Sequence, residues 1–500
     1  MKKQTEEKKD HDVSKLDASM RTAYYLAKEF IPNSKFSSLI ELQALNGCKE
    51  LTGKVYSHHS SVTEMQECLA AVLAKSQNLQ DLNDSPFLGV MIDETVNVTV
   101  HKKLIVFLRF IKNGEPNTVF FGNHTITAGD AAHRVNLVAS NAAKNTQKIA
   151  DFRRTLNNIH FFFKNSAARY ERLRELHRAF EDSGFVSLKE PCSVRWLSLT
   201  KATESVFAHW QELVLALGEE ARTNATAEGI LRQMQTHSFV AIMHMMLDIL
   251  PIIDRLNKCF QEQDVNLSKI KPSVLSAKQR LTDHLEEAGQ TEQGFDGART
   301  GTYKTQNLTY CGAANIQAYQ AVRTDFIQTL IDNLDERFPP DQLDILSSLG
   351  TIFDAKMYPV GMHLLRQFGT DALDVVLNKF APLPNNDLPE NERKATLVNR
   401  DRARRDFPEL KYALHVDRTK SFAEVCKMVI LDFPDQYPDF AVLANIAMTI
   451  PVSSVPCERG FSVQNAIKTQ SRARLGDTTT DNLMLISMQG PKNVKCASFK

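Results

Sequence analysis

The sequence predicts an α+β fold that is predominantly helical, and two features of the residue pattern support this. Short apolar runs between residues 87 and 126 have the length and the turn residues of β-strands. From residue 134 to residue 440, apolar side chains instead recur every three or four positions, the period of an amphipathic helix. We therefore expect a small sheet followed by a large helical region.

Length and composition limit the class of protein. The 500 residues exceed one small core, so two or three domains are expected, and 43% hydrophobic residues are typical of a globular chain. No apolar run is long enough to span a bilayer, and the charged N-terminus lacks the apolar core of a secretory signal. The sequence therefore predicts neither a membrane partner nor export.

Charge and cysteine usage exclude further classes. Sixty Lys and Arg residues against 59 Asp and Glu residues leave a net charge of +1, so any nucleic-acid binding would need a local basic patch. The eight cysteines are scattered without a C-x-x-C pair, which argues against zinc fingers, zinc ribbons and a disulfide framework. No phosphate-binding loop or zinc-protease motif is present, and we expect no cofactor and no small-molecule substrate.

The N-terminal part of the chain predicts a tail and then a sheet. Residues 1–84 form a polar tail, expected to be disordered up to about Asp17, and a helical lead-in. In residues 85–200, the first strand ends in Asp93, a second strand follows, and Asn113-Gly114 supplies a hairpin turn to a third. An acid at the end of a strand is an ordinary turn residue as well as a candidate metal ligand.

Residues 201–440 predict a helical domain with two polar interruptions. Ala288 to Thr302 is rich in glycine and predicts a flexible loop, and Pro382 to Glu390 predicts a linker. A basic cluster follows, which we expect to be a solvated helix face and which is also the best local candidate for an anionic partner or a weak nuclear-import signal. Its members are Arg393, Lys394, Arg400, Arg402, Arg404 and Arg405.

The C-terminal residues 441–490, followed by a tail at 491–500, predict two apolar helices on either side of a basic segment. The first contains Leu443, Ile446 and Ile450, and the second contains Leu483 and Ile486. Glu458 lies between them. By its own pattern it is an acid at a helix N-terminus, where the helix dipole stabilises a negative charge.

The run SSVPCERGFSVQNAIKTQSRARLGDTTTDNLMLISM closely resembles the C-terminal signature of hAT-type transposases. The resemblance implies an RNase H-like core, interrupted by a large all-helical insertion and completed by C-terminal dimerisation helices. It also implies that Glu458 matches the last acid of an Asp/Asp/Glu metal site. Asp93, in the pattern F-x-x-x-x-x-D-E-T, matches the first acid.

The sequence departs from the family pattern where the second acid is expected. Ala128-Gly129-Asp130-Ala131 runs directly into Ala132-His133-Arg134-Val135-Asn136-Leu137, without the helix, strand and acid that precede this motif in the family. A two-metal site needs a bridging carboxylate and further ligands for each ion. We therefore expect an incomplete core with a three-stranded start and a catalytically inactive chain. Asp93 and Glu458 would be vestigial, with no metal bound and Mg²⁺ relevant only to residual activity.

A second motif suggests contact with DNA. Pro191 to Leu199 resembles the family's R-W-x-S motif, which implies that Trp196 stacks on an unpaired base and that Arg195 contacts a phosphate. The alternative is that Trp196 is a core residue with Arg195 extending past it to solvent. Further DNA-binding candidates in the basic C-terminal segment are Lys468, Arg472 and Arg474.

The first functional hypothesis is a non-enzymatic, hAT-derived protein that forms a homodimer or higher homo-oligomer, with weak binding to DNA or chromatin. The dimerisation candidates are Leu443, Ile446, Ile450, Phe461, Leu483 and Ile486. One alternative is a nuclear adaptor or regulatory scaffold for zinc-finger or SUMO-pathway partners. Another is a residual Mg²⁺-dependent nuclease or transposase. We expect a nuclear location, or otherwise a cytoplasmic one.

Overall fold

The chain divides into two compact units, of which one contains residues 1–134 together with 351–500 and the other contains residues 135–350. The computed structural model describes residues 2–52, 58–77, 79–96, 102–125, 147–180, 184–191, 196–261, 266–383, 396–453 and 455–492. Helices predominate, and an antiparallel sheet of three strands lies in the first unit. The prediction of an α+β, predominantly helical fold is therefore confirmed.

The sheet consists of β1 (Gly89–Val96), β2 (Lys102–Lys112) and β3 (Glu115–Thr125), in that order. Asn113 and Gly114 both have positive φ, at 53° and 71°, and they join β2 to β3 as the Asn-Gly pair predicts. Asp93 on β1 pairs with Ile105 on β2. Side chains two positions apart in a strand point to the same face, so Asp93 shares its face of the sheet with the buried Met91.

The helices of the first unit come from both ends of the chain. N-terminal to the sheet are α1 (Lys2–Lys28), α2 (Phe36–Leu45), α3 (His59–Gln77) and α4 (Leu79–Asp84). C-terminal to residue 351 are α16 (Met362–Leu365), α17 (Thr370–Phe380), α18 (Arg400–Val416), α19 (Phe422–Leu431), α20 (Pro438–Thr449), α21 (Val455–Ile467) and α22 (Asp477–Gln489).

One face of the sheet forms a shared core with the terminal helices. Buried side chains of the sheet, including Ile105, Phe107 and Phe120, pack with Tyr24 of α1 and Leu483 of α22. Hydrogen bonds reinforce this packing, since the Lys28 Nζ donates to the carbonyls of Ser487 and Gly490 at 2.7 and 2.9 Å. Helices from opposite ends of the chain therefore belong to one core.

Two glycines and one arginine bring α20 and α21 close to the sheet. A Cβ atom at Gly460 of α21 would collide with Ile105, and one at Gly89 would collide with the Thr449 carbonyl oxygen at the end of α20. The Arg109 Nε on β2 donates to the Met448 carbonyl at 2.8 Å, which satisfies a carbonyl in the last turn of α20. These contacts fix both helices against the strands.

Where the sequence predicts a disordered tail, the structure has a helix, because α1 already begins at Lys2. Arg21 pairs with Asp17 one turn earlier at 2.9 Å, and the Lys15 Nζ donates to the Thr52 carbonyl at the same distance. Apolar composition alone did not indicate this helix. The polar N-terminal part of α1 belongs to the same helix as buried residues near its C-terminal end, such as Leu26.

The second unit is built from helices and a small hairpin. Its helices are α5 (Gln147–Lys164), α6 (Ala167–Phe180), α7 (Trp196–Ala208), α8 (Trp210–Ala221), α9 (Ala225–Met234), α10 (His237–Gln261), α11 (Leu267–Glu286), α12 (Gln290–Gln293), α13 (Gly297–Thr300), α14 (Ala313–Arg337) and α15 (Pro340–Phe353), which ends in the first unit. The hairpin joins β4 (Thr302–Tyr303) to β5 (Gln306–Asn307).

The glycine-rich stretch from Ala288 to Thr302 is not the simple flexible loop that its composition predicts. It contains α12 and α13, and the carboxylate of Asp248 accepts the backbone N–H groups of Thr291 and Glu292 at 3.1 and 2.8 Å. Glu292 in turn pairs with Arg323 at 2.8 Å, and both side chains are largely buried. Long-range polar contacts therefore order this segment.

The units divide the chain at other positions than the predicted domains. The helical unit covers residues 135–350, whereas the sequence predicts a helical domain over residues 201–440. Residues after 351 pack with the sheet, as shown by the ion pair between Lys427 of α19 and Glu115 of β3. Among the described residues, no helix combines the length and the apolar character needed to cross a membrane.

Candidate functional site

The site that the sequence suggests lies where α21 meets the sheet. Asp93 is on β1, and Cys457 and Glu458 are in the first turn of α21. Asp93 and Cys457 are buried, while Glu458 is half-buried. One carboxylate oxygen of Asp93 accepts the backbone N–H of Glu94 at 2.8 Å.

The helix α21 packs against β1 and β2, so Glu458 and Cys457 lie at the part of the sheet that carries Asp93. Burial, followed by the negative charges of Asp93 and Glu458, raises the pKa of this thiol to about 12. The fold thus brings together the two acids that the sequence singles out, although they lie at opposite ends of the chain. The Cys457 thiol, on which both charges act, stays protonated at neutral pH.

Two acids do not complete a two-metal site. Within the part of the chain that the structure describes, neither Asp93 nor Glu458 belongs to a group of three closely spaced metal-ligand side chains. The segment Ala128 to Leu137, where the sequence departs from the family pattern, lies outside the described residues. A bridging carboxylate and further ligands would be required to hold two Mg²⁺ ions.

The basic candidates of the C-terminal segment differ in their accessibility. Lys468 is buried, with its Nζ 3.9 Å from Asp477 Oδ1. Arg472 donates to the Phe30 carbonyl at 3.0 Å, and burial lowers the pKa of its guanidinium. Arg474 is exposed. Of these three side chains, Arg474 is therefore the most accessible to an anionic partner.

The arginines at the start of α18 are paired within the fold. Arg402 makes two hydrogen bonds to the buried carboxylate of Asp439, at 2.5 and 3.0 Å, and Arg404 pairs with Asp374 at 2.7 Å. Arg400 donates to the Ala381 carbonyl at 3.1 Å. An anionic partner would compete with these contacts. Arg393 and Lys394 of the predicted basic cluster lie outside the described residues.

The predicted DNA-contact pair cannot be placed from side-chain positions. Arg195 and the side chain of Trp196 lie outside the described residues, although the backbone of Trp196 begins α7. Stacking of Trp196 on a base therefore stays a prediction, and so does its alternative as a core residue.

Most of the predicted dimerisation residues are buried within one copy of the chain. The side chains of Leu443, Ile446, Leu483 and Ile486 are all at most 7% exposed, because they pack inside the first unit. Phe461 is half-buried and packs against the same core as Leu483. Ile450 is half-buried. Their contact with a second copy stays a prediction, since it would need either their remaining exposed edges or an exchange of helices.

An exposed apolar surface near α16 and α18 was not predicted from the sequence. Here the His415 Nε2 donates to the Pro359 carbonyl at 3.0 Å, and the Lys411 Nζ donates to the carbonyls of Arg366 and Phe368. Large apolar side chains next to these contacts in the chain face solvent. This set, which we call the α16–α18 surface, consists of Met357, Val360, Met362, Leu364, Tyr412 and Val416.

A sequence signal for part of this surface exists. The buried side chains of α18 include Phe407, Leu410 and Leu414, which form one apolar stripe. Tyr412 and Val416 are four residues apart and lie off that stripe, so they form a second apolar face. An apolar pair on a second face of a helix indicates a contact with another part of the chain or with a partner.

The C-terminal part of the chain matches a known family model. Residues 410–489 match the hAT family C-terminal dimerisation region. The matched segment begins near the end of α18, includes Cys457 and Glu458, and ends with the last residue of α22. It therefore contains the helices that cover the sheet as well as two members of the α16–α18 surface.

Proposed function

Because its dimerisation region supports derivation from a hAT-family transposase, we propose that this chain acts by self-association, as a homodimer without enzymatic activity. The match to a dimerisation region is the observation that carries this proposal. The α16–α18 surface supports it, since large apolar side chains that are exposed on segments in contact with each other often mark a protein–protein interface.

The α16–α18 surface is the proposed contact between copies. Val416 is 88% exposed at the last position of α18, and Leu364 is 56% exposed in α16. The surface overlaps the matched region, which argues for a second copy as its occupant. In a two-fold dimer the same patch on each copy would meet its equivalent, as in most homodimers.

The experiment is a dilution series by analytical ultracentrifugation with a double variant, Leu364→Glu with Val416→Glu. Carboxylates facing each other in an apolar interface should weaken the dimer by about 100-fold or more. The control is Leu45→Glu, which places the same charge at a side chain that is 80% exposed on α2, outside the matched region. A wild-type chain that stays monomeric at high concentration would overturn the proposal.

The same measurement tests whether the buried dimerisation candidates contact a second copy. If the double variant remains dimeric, the contact does not use the α16–α18 surface. An exchange of α21 and α22 between copies would then be the remaining route by which Leu483 and Ile486 contact a second chain.

We also propose that the sheet with its C-terminal helices is the remnant of an RNase H-like core that no longer cleaves DNA. The packing of α21, which carries Glu458, against β1, which carries Asp93, supports a common origin with such a site. The departure of residues 128–137 from the family pattern supports the loss of activity.

A residual Mg²⁺-dependent nuclease is the second candidate, and the packing of the helix that carries Glu458 against the strand that carries Asp93 favours it. The test is nicking of supercoiled DNA in Mg²⁺ or Mn²⁺ by the wild-type chain and by Asp93→Asn. Nicking that disappears in Asp93→Asn would establish the nuclease. Nicking that is equal in both chains would indicate a contaminant.

The remaining parts of the hypothesis concern partners and location. Weak binding to DNA or chromatin is proposed to use Arg474, which is exposed, and should weaken steeply with salt. A nuclear location and a role as an adaptor for zinc-finger or SUMO-pathway proteins stay predictions. Proximity labelling in cells, with the double variant of the α16–α18 surface as a comparison, would test both.

A further inference from the structure

Two histidines and a glutamate of the second unit converge at a buried position that none of the functions above uses. His177 is on α6, His209 precedes α8, and Glu212 is in the first turn of α8. All three residues are at most 3% exposed. One ligand atom from each lies within 4.8 Å of the others, and this is the one such group of three among the described residues.

A hydrogen bond to the ring of His209 determines which ring nitrogen carries a proton. Its Nε2 lies 2.7 Å from the Val186 carbonyl oxygen, and a carbonyl can only accept, so Nε2 carries a proton. In the neutral ring, Nδ1 is then a bare acceptor. Metal-binding histidines are oriented in this way, with the distal N–H donated to a carbonyl.

The near side of His209 faces another acceptor. Its Nδ1 is buried without a hydrogen-bond partner, and Glu212 Oε1 is 3.7 Å away. A separation of 3.7 Å between His209 Nδ1 and Glu212 Oε1 is too long for a hydrogen bond. The same Glu212 oxygen lies 3.1 Å from His177 Nδ1. Two nitrogens and one carboxylate oxygen therefore surround one point in the interior.

The aromatic surroundings hold both rings in place. Phe185 stacks on His209 with ring centroids 4.7 Å apart, and its ring is edge-on to His177 at 5.5 Å. The two histidine rings are perpendicular to each other at 4.9 Å. Glu212 is in the first turn of α8, where the helix dipole stabilises its negative charge. The donor atoms are thus pre-organised by packing.

We propose that His177, His209 and Glu212 bind a Zn²⁺ ion as three protein ligands. Tetrahedral zinc with bonds of about 2.0–2.1 Å places neighbouring ligand atoms about 3.3–3.4 Å apart. The 3.1 and 3.7 Å separations lie on either side of that value. Two imidazoles and one carboxylate are a ligand set that zinc accepts, whereas Mg²⁺ and Ca²⁺ prefer oxygen ligands alone. A cation at this point would satisfy the bare Nδ1 and neutralise the buried carboxylate.

The test measures zinc binding to the full chain after removal of metal with a chelator. We expect one zinc per chain and a higher melting temperature with zinc than without it. Glu212→Gln keeps the shape of the side chain, but removes its charge, and should weaken zinc binding at least about 100-fold, since even changes outside the ligand shell cost 10–100-fold. His160→Gln is the matched control, because His160 is also buried beside a glutamate, Glu190, at 3.8 Å, but without a second histidine.

X-ray absorption at the zinc edge separates this site from the cysteines. Nitrogen and oxygen neighbours at about 2.0–2.1 Å, with an imidazole signature, would support the proposal, and sulfur at about 2.3 Å would overturn it. The proposal would also be overturned by a wild-type chain that binds no stoichiometric zinc, or by equal affinity in wild type and Glu212→Gln. The wild-type stoichiometry and spectrum decide the question even if a variant fails to fold.

Discussion

Cys457 illustrates how a residue is defined by its surroundings. Its thiol is fully buried and lies near two carboxylates, and both effects disfavour the thiolate. Because the thiolate is the reactive form, Cys457 should be inert although it precedes the Glu458-Arg459 pair of the motif. Its role is packing in the core beneath α21.

Alkylation tests this expectation. In the native chain at pH 8, iodoacetamide should modify the exposed Cys68 and leave Cys457 and the buried Cys426 unmodified. All three should react once the chain is unfolded. Peptide mass spectrometry measures each site, and rapid native labelling of Cys457 would contradict the placement of α21 on the sheet.

Asp481 of α22 predicts a pH dependence of stability. Burial raises its pKa to about 6, and its Oδ1 is buried without a hydrogen-bond partner among the residues described. The folded state therefore binds the proton more tightly than the unfolded state, where the pKa is about 3.9. This contribution favours folding fully below about pH 4 and is lost as the pH rises through about 6.

The variant Asp481→Asn should remove that dependence. We expect it to be more stable than the wild type by about 1–2 kcal/mol at pH 7.5, after discounting for partial exposure, and to show no advantage at pH 4. Urea unfolding at both pH values measures the difference. Asp435→Asn is the control, because it removes the same charge from an exposed aspartate of the same unit. An equal effect at both pH values would contradict the buried carboxyl.

At the scale of the element, α21 shows why helix periodicity is an incomplete description. The sequence predicts a helix around Glu458, but its buried stripe includes a glycine, Gly460, which a periodic pattern counts as a weakness. In the structure that glycine is where the helix touches Ile105 and Phe107 of β2. The missing side chain is what allows the close approach.

Replacing Gly460 by alanine should therefore change the stability in the opposite direction from replacing a glycine that has no close neighbours. Gly460→Ala should destabilise the chain by about 1–3 kcal/mol through overpacking, despite the higher helix propensity of alanine. Gly229→Ala in α9 should stabilise by about 0.5–1 kcal/mol, because its Cβ would meet nothing within 4 Å. Chemical denaturation compares the two, and a stabilising Gly460→Ala would contradict the contact.

The same distinction applies to the C-terminal helices. The spacing of apolar residues predicts which side chains of these helices are buried. Leu443, Leu483 and Ile486 are buried in the structure. What covers them is not predictable, since a helix stripe packs equally well against its own sheet or against a second copy. Here they are covered by other parts of the same chain, and Leu483 and Ile486 pack with side chains of α1, α3 and the sheet.

At the scale of the whole molecule, the two ends of the chain meet in one core. Tyr24 of α1 is 1% exposed and packs with Leu483 and Ile486, and its hydroxyl donates to the Pro491 carbonyl at 2.5 Å. The N-terminal lead-in, to which the sequence assigns no chemistry, thus stabilises the part that matches the dimerisation region.

Two adjacent tyrosines test this arrangement. Tyr24→Ala should cost about 3–5 kcal/mol, as expected for removal of a buried aromatic side chain. Tyr25→Ala should change stability by less than about 0.5 kcal/mol, because Tyr25 is 44% exposed. Thermal or urea unfolding measures both variants, and similar values for the two would contradict the position of α1.

The sequence by itself determined the kinds of elements and the terminal motif. The hairpin at Asn113-Gly114, the strand that carries Asp93 and the helices around Glu458 follow from turn chemistry and periodicity, which depend on neighbours in the chain. The tertiary structure alone decided what these elements meet. It placed α1 in the C-terminal core, brought Asp93 and Glu458 to Cys457, and gathered His177, His209 and Glu212. Such contacts join residues far apart in sequence, and a local pattern does not specify which buried faces pack together.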